Sequence, residues 1–273
     1  MARGRGWAWL RRHDLSVFFL TVFALTWVVW IPRAAGVPMG VLGDLWTWAP
    51  AVAAVSSAAL SQGRAGVRDL GRRLVLWRVG WIWYLLVLLG PLIFSVLVAA
   101  VDVLLGGSWT AARPSALALS LPAIALTLAA LTLTDGLGEE LAWRGYALPR
   151  LLVRHRMLAA SLILGVVWWL WHLPLVWTVG AAIEGEPVWL LLVDLLAKSL
   201  LFTIVFVHTR GSVLIAILLH ASTNLFAVSP APGTDGDLTL PLIALALKWL
   251  LAAVTFAAWY RSTGASWRRS EVS

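Results

Sequence analysis

Long apolar stretches are the feature that most constrains how this chain can fold. They recur along the sequence with lengths of about 17 to 25 residues, enough for a helix to cross a hydrocarbon core of about 30 Å. The composition agrees, because 61% of the residues are hydrophobic and only 12% are charged. Such values lie outside the range of a soluble globular surface. The sequence therefore predicts an all-α, polytopic membrane protein.

Eight stretches are predicted to be transmembrane helices. The connections between them are short, and no repeat or soluble insertion interrupts them, so residues 1–273 are predicted to form a single transmembrane domain. The first stretch has no small-residue cleavage site after it and is interpreted as a retained helix. The predicted spans are Leu15 to Ile31, Leu45 to Ser61, Val79 to Leu105, Ala116 to Thr134 running on towards Pro149, Met157 to Trp177, Val188 to Val207, Val213 to Val228, and Leu240 to Tyr260.

Arginine is distributed unequally between the two sets of alternate connections. One set, which includes both termini, carries 16 arginines, whereas the other carries only Arg33 and Arg113. Because arginine-rich loops stay in the cytoplasm, both termini are predicted to be cytoplasmic. The net charge of +8 is thus explained by topology, and no nucleic-acid partner is expected. The longest hydrophilic segment, residues 62–78, is predicted to contain a short interfacial helix.

Two adjacent carboxylates and an arginine interrupt the apolar sequence of the fourth span. Glu140 and Arg144 are four residues apart and share a helix face, whereas Glu139 projects about 100° away. Ionisable groups at membrane depth are costly and usually mark a site that faces the protein interior. Glu139 is therefore a candidate general base, and a purely structural Glu–Arg pair is the alternative.

Two later spans carry polar side chains at the same four-residue spacing. Trp168 and His172 share a face of the fifth span, and His220 and Asn224 share a face of the seventh. Counted from the predicted cytoplasmic edge, these residues and Glu139 all lie about 15 to 24 Å deep. Each pair taken alone also fits a structural role, as a core histidine or an interhelical hydrogen bond. Their similar depth favours one common site.

Other polar residues are weaker candidates. Asp194 and Lys198 form a natural i, i+4 pair, which is interpreted as structural, and Asp135 precedes the acidic motif as a possible supporting residue. Cysteine is absent, which excludes disulfides and thiolate zinc sites. Any metal would have to be bound by His, Asp or Glu side chains.

The ordered motifs Glu139 to Arg144, Trp168 to His172 and His220 to Asn224 resemble those of the CPBP family, also called Abi or CAAX-protease-like intramembrane endopeptidases. The resemblance covers about residues 117–226, which are predicted to be the catalytic core. Trp168 stands where phenylalanine is usual in the family, and this change of packing residue is expected to leave the chemistry unaffected. The family includes the CAAX prenyl endopeptidase and bacterial members linked to bacteriocin processing or immunity.

The resemblance implies a role for each candidate residue in the catalytic centre. Glu139 would activate water with help from His172, and the oxyanion would be stabilised by His220 and Asn224. This division is chemically sensible, because a base must contact the attacking water and donors must face the oxygen that becomes negative.

The resemblance also implies that Glu140 and Arg144 hold this geometry. It leaves the metal question open, since Glu139, His172 and His220 would be the ligands of a catalytic zinc with water in the fourth position. A metal-free glutamate mechanism is slightly preferred, and the sequence contains no HExxH motif that would decide the matter.

The predicted function is that of an intramembrane endopeptidase. Its substrate would be a membrane-associated peptide, either CAAX-like or a leader peptide, in a bacterial cytoplasmic membrane and with a cavity that opens to the cytoplasm. One alternative is a non-catalytic bacteriocin-immunity or membrane scaffold protein with the same fold. A weaker alternative is a proton-coupled transporter that uses Glu139, Glu140 and His172 as a relay.

Overall fold

The computed structural model describes residues 13–228 and 237–263, and within them the chain is helical with no β-strand. The predicted all-α class is thereby confirmed. Arg3, Arg5, Arg11 and Arg12, with Arg268 and Arg269, contributed to the predicted sidedness and lie outside the described residues. The longer helices are α1 (Asp14–Ala34), α2 (Ala49–Gln62), α3 (Arg64–Leu74), α4 (Trp81–Leu104), α5 (Leu121–Arg154), α6 (Met157–Val176), α7 (Val188–His208), α8 (Val213–Leu225) and α9 (Thr239–Thr263).

Six of these helices, α1, α4, α5, α6, α7 and α9, are long and apolar enough to cross a membrane. The other two predicted spans correspond to α2 and α8, which have only 14 and 13 residues. At 1.5 Å per residue each is about 20 Å long, less than the hydrocarbon thickness. In the second predicted span, residues Trp46–Trp48 form a 3₁₀ turn and α2 begins only at Ala49. Eight crossings and cytoplasmic termini therefore stay predictions.

The basic segment at residues 62–78 does contain a helix, α3, as predicted. Asp69 on α3 forms ion pairs of 2.6 Å with Arg72 and 2.9 Å with Arg73. The short helices Gly40–Leu45 and Trp109–Ala112 and the 3₁₀ turn Ser115–Ala118 lie in connections between the longer helices.

Helix α5 is not a regular α-helix where it carries the acidic motif. Two π-helical segments, Thr132–Gly136 and Leu141–Ala147, flank a single α-helical turn, Leu137–Glu140. Such widened turns redirect side chains and are frequent at functional sites. The sequence interpretation assumed regular α-helical geometry through this motif, and the structure corrects it.

A close backbone contact fixes the acidic turn of α5 in the protein. A Cβ atom added at Gly138 would lie 2.3 Å from the Thr47 carbonyl oxygen, so only glycine permits this approach. Helices α6 and α7 pack antiparallel beside it, where the Ser199 hydroxyl donates to the Ser161 carbonyl at 2.8 Å. Helix α8 is tied to α4 by a hydrogen bond from the Ser222 hydroxyl to the Val87 carbonyl. The acidic turn is thus enclosed by protein.

Candidate active site

The two adjacent glutamates point to different partners. The buried Glu140 Oε1 accepts hydrogen bonds from the Arg144 guanidinium at 2.9 Å and from His220 Nδ1 at 2.8 Å. The buried Glu139 Oε2 instead accepts from the indole N–H groups of Trp143 at 3.2 Å and Trp168 at 2.7 Å. Glu140 is therefore paired with a cation, whereas Glu139 is held by neutral donors.

Aromatic rings enclose the buried arginine. The central guanidinium carbon of Arg144 lies 4.5 Å from the ring centroid of Trp168 and 4.5 Å from that of Phe202. A guanidinium over aromatic faces is stabilised by cation–π attraction, and more strongly where water is excluded. Arg144 is fully buried, and its Nε and one of its terminal nitrogens have no hydrogen-bond partner among the described residues. The Glu140–Arg144 pair is thus held in one orientation inside the protein.

His220 bridges the two carboxylates. Its Nδ1 donates to Glu140, because a carboxylate paired with arginine can only accept, and this assigns a proton to Nδ1. Its Nε2 lies 3.9 Å from Glu139 Oε1. The rings of Trp168 and Phe202 pack against the imidazole, with centroids 5.9 Å and 6.0 Å away. His220 therefore directs Nε2 towards the glutamate that has no charged hydrogen-bond partner.

His172 reaches the same region through Trp168. Its Nδ1 lies 2.9 Å from the Trp168 backbone carbonyl, which only accepts, so Nδ1 carries a proton and Nε2 is left with its lone pair. The Trp171 ring meets the half-buried imidazole edge to face at 4.7 Å. This tautomer makes His172 an acceptor towards any water or substrate group at Nε2.

Asn224 lies one helical turn beyond His220, at the exposed end of the cluster. Its side-chain amide donates to Asp135 Oδ2 at 3.2 Å, and no hydrogen bond in the described structure joins it to Glu139, His172 or His220. Asp135 belongs to the first π-helical segment of α5. The structure thus brings this predicted oxyanion donor close to the cluster but pairs it with a carboxylate.

Sequence reasoning missed the two tryptophan contacts to Glu139. Tryptophan in place of phenylalanine at position 168 was expected to change only packing. The indole N–H of Trp168, however, donates a hydrogen bond to Glu139 that phenylalanine cannot make. Trp143 follows Glu139 by four residues, and that spacing alone would have predicted the contact. Phe202 has no polar atom and is one of many apolar residues of α7, so the sequence gives no signal for its contact with Arg144.

Whether Glu139, His172 and His220 bind a metal stays a prediction. Among the described residues, no group of three His, Asp or Glu side chains could hold a metal ion. Each imidazole commits Nδ1 to a protein acceptor, and Glu139 commits Oε2 to two indole donors. Nε2 of both rings and Oε1 of Glu139 therefore remain for water, substrate or a metal ion.

Comparison with known proteins places the motifs in a family. Residues 119–226 match the family described as "Type II CAAX prenyl endopeptidase Rce1-like", and the six predicted site residues lie within this segment. The chain is also 33% identical over 93 residues to "CAAX prenyl protease 2" of Methanococcus maripaludis, an alignment that covers 32% of this chain and 34% of that protein. The chain thus matches only about a third of the length of this curated relative. The predicted resemblance is confirmed: residues 119–226 are similar to the CAAX-protease-like family.

Proposed function

We propose that the protein is an intramembrane endopeptidase in which Glu139 activates water to hydrolyse a peptide bond of a membrane-associated substrate. The observation that carries the proposal is the difference between the two buried glutamates. Glu140 is neutralised by Arg144, whereas Glu139 accepts only from two indoles and keeps Oε1 near His220 Nε2 at 3.9 Å. A carboxylate with one oxygen anchored and the other directed at an imidazole suits a general base.

In the proposed reaction a water molecule binds between Glu139 Oε1 and the substrate carbonyl carbon. Glu139 takes a proton from this water while the water oxygen bonds to the carbonyl carbon. The electron pair of the carbonyl double bond moves onto the carbonyl oxygen. The proton on Glu139 then passes to the amide nitrogen. The oxyanion re-forms the carbonyl as the carbon–nitrogen bond breaks, and an amine and a carboxylic acid leave. Water and the peptide are the only reactants consumed.

The two imidazoles have different tasks in this mechanism. The lone pair on His172 Nε2 orients the attacking water, because Nδ1–H is committed to the Trp168 carbonyl. His220, held by Glu140 at Nδ1, donates from Nε2 to the developing oxyanion when its ring is cationic. Asn224 contributes its second amide N–H to the same oxyanion after the substrate enters, while Asp135 holds the first.

The proposal extends to topology and cofactors. Eight crossings with cytoplasmic termini would open the site towards the cytoplasm of a bacterial cell, where a CAAX-like or leader peptide anchored in the bilayer is the substrate. The mechanism is metal-free, which is supported by the finding that no group of three His, Asp or Glu side chains among the described residues could hold a metal ion.

The decisive test is Glu139→Gln in purified, detergent-solubilised protein. The amide oxygen can still accept from the two indoles, but the base is removed, so cleavage of membrane-anchored peptides should fall by about 10³-fold or more. Glu184→Gln, an exposed glutamate in the loop before α7, is the matched control and should cleave normally. Unaltered turnover by a folded Glu139→Gln protein would overturn the assignment.

A chelator arm tests the cofactor proposal in the same assay. Cleavage should persist after chelation, and the purified protein should contain far less than one zinc per chain. Loss of cleavage on chelation with recovery on added zinc would reject the metal-free mechanism while keeping the peptidase.

A further inference from the structure

A second ionic cluster lies outside the catalytic residues, between α7 and α9. Asp194 forms ion pairs with both Lys198, at 3.0 Å, and Lys248, so one carboxylate serves two ammonium groups. The pairing with Lys248 joins residues 54 positions apart in the sequence. The cluster consists of Asp194, Lys198 and Lys248. It thus contains one lysine more than the helical pair that the sequence predicted.

The type of cation in this cluster is unusual for this chain. Lys198 and Lys248 are the only two lysines among 21 basic residues. Their side chains keep 27% and 15% of their surface exposed, whereas Arg144 is fully buried. A lysine ammonium is a compact charge on a flexible stem, which can follow a mobile ligand better than a fixed guanidinium. Both groups are thus partly accessible cations.

The cluster lies beside the catalytic residues on one face of α7. Asp194, Lys198 and Phe202 follow one another at four-residue spacing, and the Phe202 ring contacts His220 and Arg144. One helical turn is about 5.4 Å, a distance that a lysine side chain can span. Lys198 also interacts electrostatically with Glu139 and His172.

The lysines carry more hydrogen-bond donors than the protein satisfies. Each ammonium has three N–H groups, and within the described residues Asp194 is the one ion-pair partner of both. Glu186, in the loop before α7, interacts with the cluster only beyond ion-pair distance. Burial raises the pKa of the Glu186 carboxyl, although Lys198 acts in the opposite direction. Surplus cationic donors at membrane depth favour a bound anion.

We propose that Lys198 and Lys248 bind a carboxylate of the substrate peptide and so position the peptide against Glu139. This inference rests on the proposed peptidase function and deepens it, because it assigns a substrate-binding site that is separate from the catalytic residues. Two parts of a peptide could supply the carboxylate, namely its free C-terminus or an acidic side chain. Asp194 shows that one carboxylate can contact both ammonium groups, and charge-assisted hydrogen bonds of this kind are strong.

The experiment uses three forms of one membrane-anchored peptide: a C-terminal acid, a C-terminal amide, and an amide with an aspartate near its end. Wild-type protein should show a KM for the acid about tenfold or more below that for the plain amide, with similar kcat values. The aspartate-containing amide distinguishes a side-chain carboxylate from the C-terminal one. Lys198→Met and Lys248→Met should each remove the preference for the carboxylate.

Arg154→Met is the matched control, because Arg154 is a partly exposed cation paired with Asp14 at 3.2 Å and remote from the cluster. It should keep the preference, as should Lys198→Arg, which retains the charge. If Lys198→Met does not fold, Lys248→Met and Lys198→Arg still decide the question. A role of the lysines limited to clamping α7 against α9 would lower the melting temperature and change KM equally for all three peptides, which would overturn the proposal.

Binding in the Glu139→Gln protein separates this inference from the proposed function. The acid peptide should bind Glu139→Gln at least about tenfold more tightly than the amide. Tighter binding of the acid without cleavage by the wild type would reject the peptidase and keep the carboxylate site. Cleavage of all forms with one KM would reject the carboxylate site and keep the peptidase. If phospholipid vesicles compete with the acid peptide for binding and other peptide carboxylates do not, the lysines bind lipid. That result would overturn the proposal.

Discussion

The two ionic clusters are built in different ways. Around Glu140 and Arg144 the side chains are fully buried, and aromatic rings cover the guanidinium. Around Asp194 the two lysines are partly exposed, and cations outnumber the paired carboxylate. Enclosed charges covered by aromatic rings hold a geometry, whereas partly exposed charges can receive a ligand. The same bundle thus contains one cluster suited to orientation and another suited to binding.

Breaking the enclosed pair should have the largest effect. Arg144→Met leaves Glu140 as a buried carboxylate without its cation, so the free energy of unfolding should fall by about 3 to 5 kcal/mol. Denaturant titration in mild detergent measures this loss. The double variant Glu140→Gln with Arg144→Met removes both charges and should recover much of the stability. Equal stability of Arg144→Met and wild type would show that the pair does not fix the site.

Breaking the open cluster should cost less. Asp194→Asn removes the carboxylate from between two ammonium groups, and the expected loss is about 1 to 3 kcal/mol in the same titration. Combining it with Lys248→Met removes the repulsion between the lysines and should restore part of the stability. A loss as large as that of Arg144→Met would erase the proposed difference between the clusters.

The smallest change concerns one hydrogen bond to Glu139. Trp168→Phe keeps a ring over Arg144 but removes the indole N–H that donates to Glu139 at 2.7 Å. We expect kcat to fall about tenfold while KM and the melting temperature change little, because the group positions the base and does not contact substrate. Trp143→Phe removes the longer bond, 3.2 Å, and should have a weaker effect. A change confined to KM would contradict the positioning role.

Much of the fold was predictable because long apolar stretches of sequence indicate long apolar helices directly. The six long helices coincide with predicted spans. The start of α2 at Ala49 and the end of α8 at Leu225 were not predictable, since hydropathy does not reveal where a helix begins or ends within an apolar stretch. The 3₁₀ turn at Trp46–Trp48 shortens α2 although its residues are as apolar as those that follow.

The candidate site was predictable as a set of motifs but not as a set of contacts. Three polar spacings at similar depth correctly suggested that Glu139, Glu140 and His220 meet. The π-helical turns of α5 depend on packing against neighbouring helices, so no local pattern announced them. The pairing of Lys248 with Asp194 also depends on how helices pack. It was not predictable, because a lysine in an apolar helix does not indicate its partner.

Trp168 links two functional groups through a single residue. Its backbone carbonyl fixes the His172 ring, and its indole fixes Glu139 on the neighbouring helix. Rotation or sliding of α6 would therefore misalign both groups at once. The proposed reaction thus requires α6 to keep its position relative to α5, which carries Glu139.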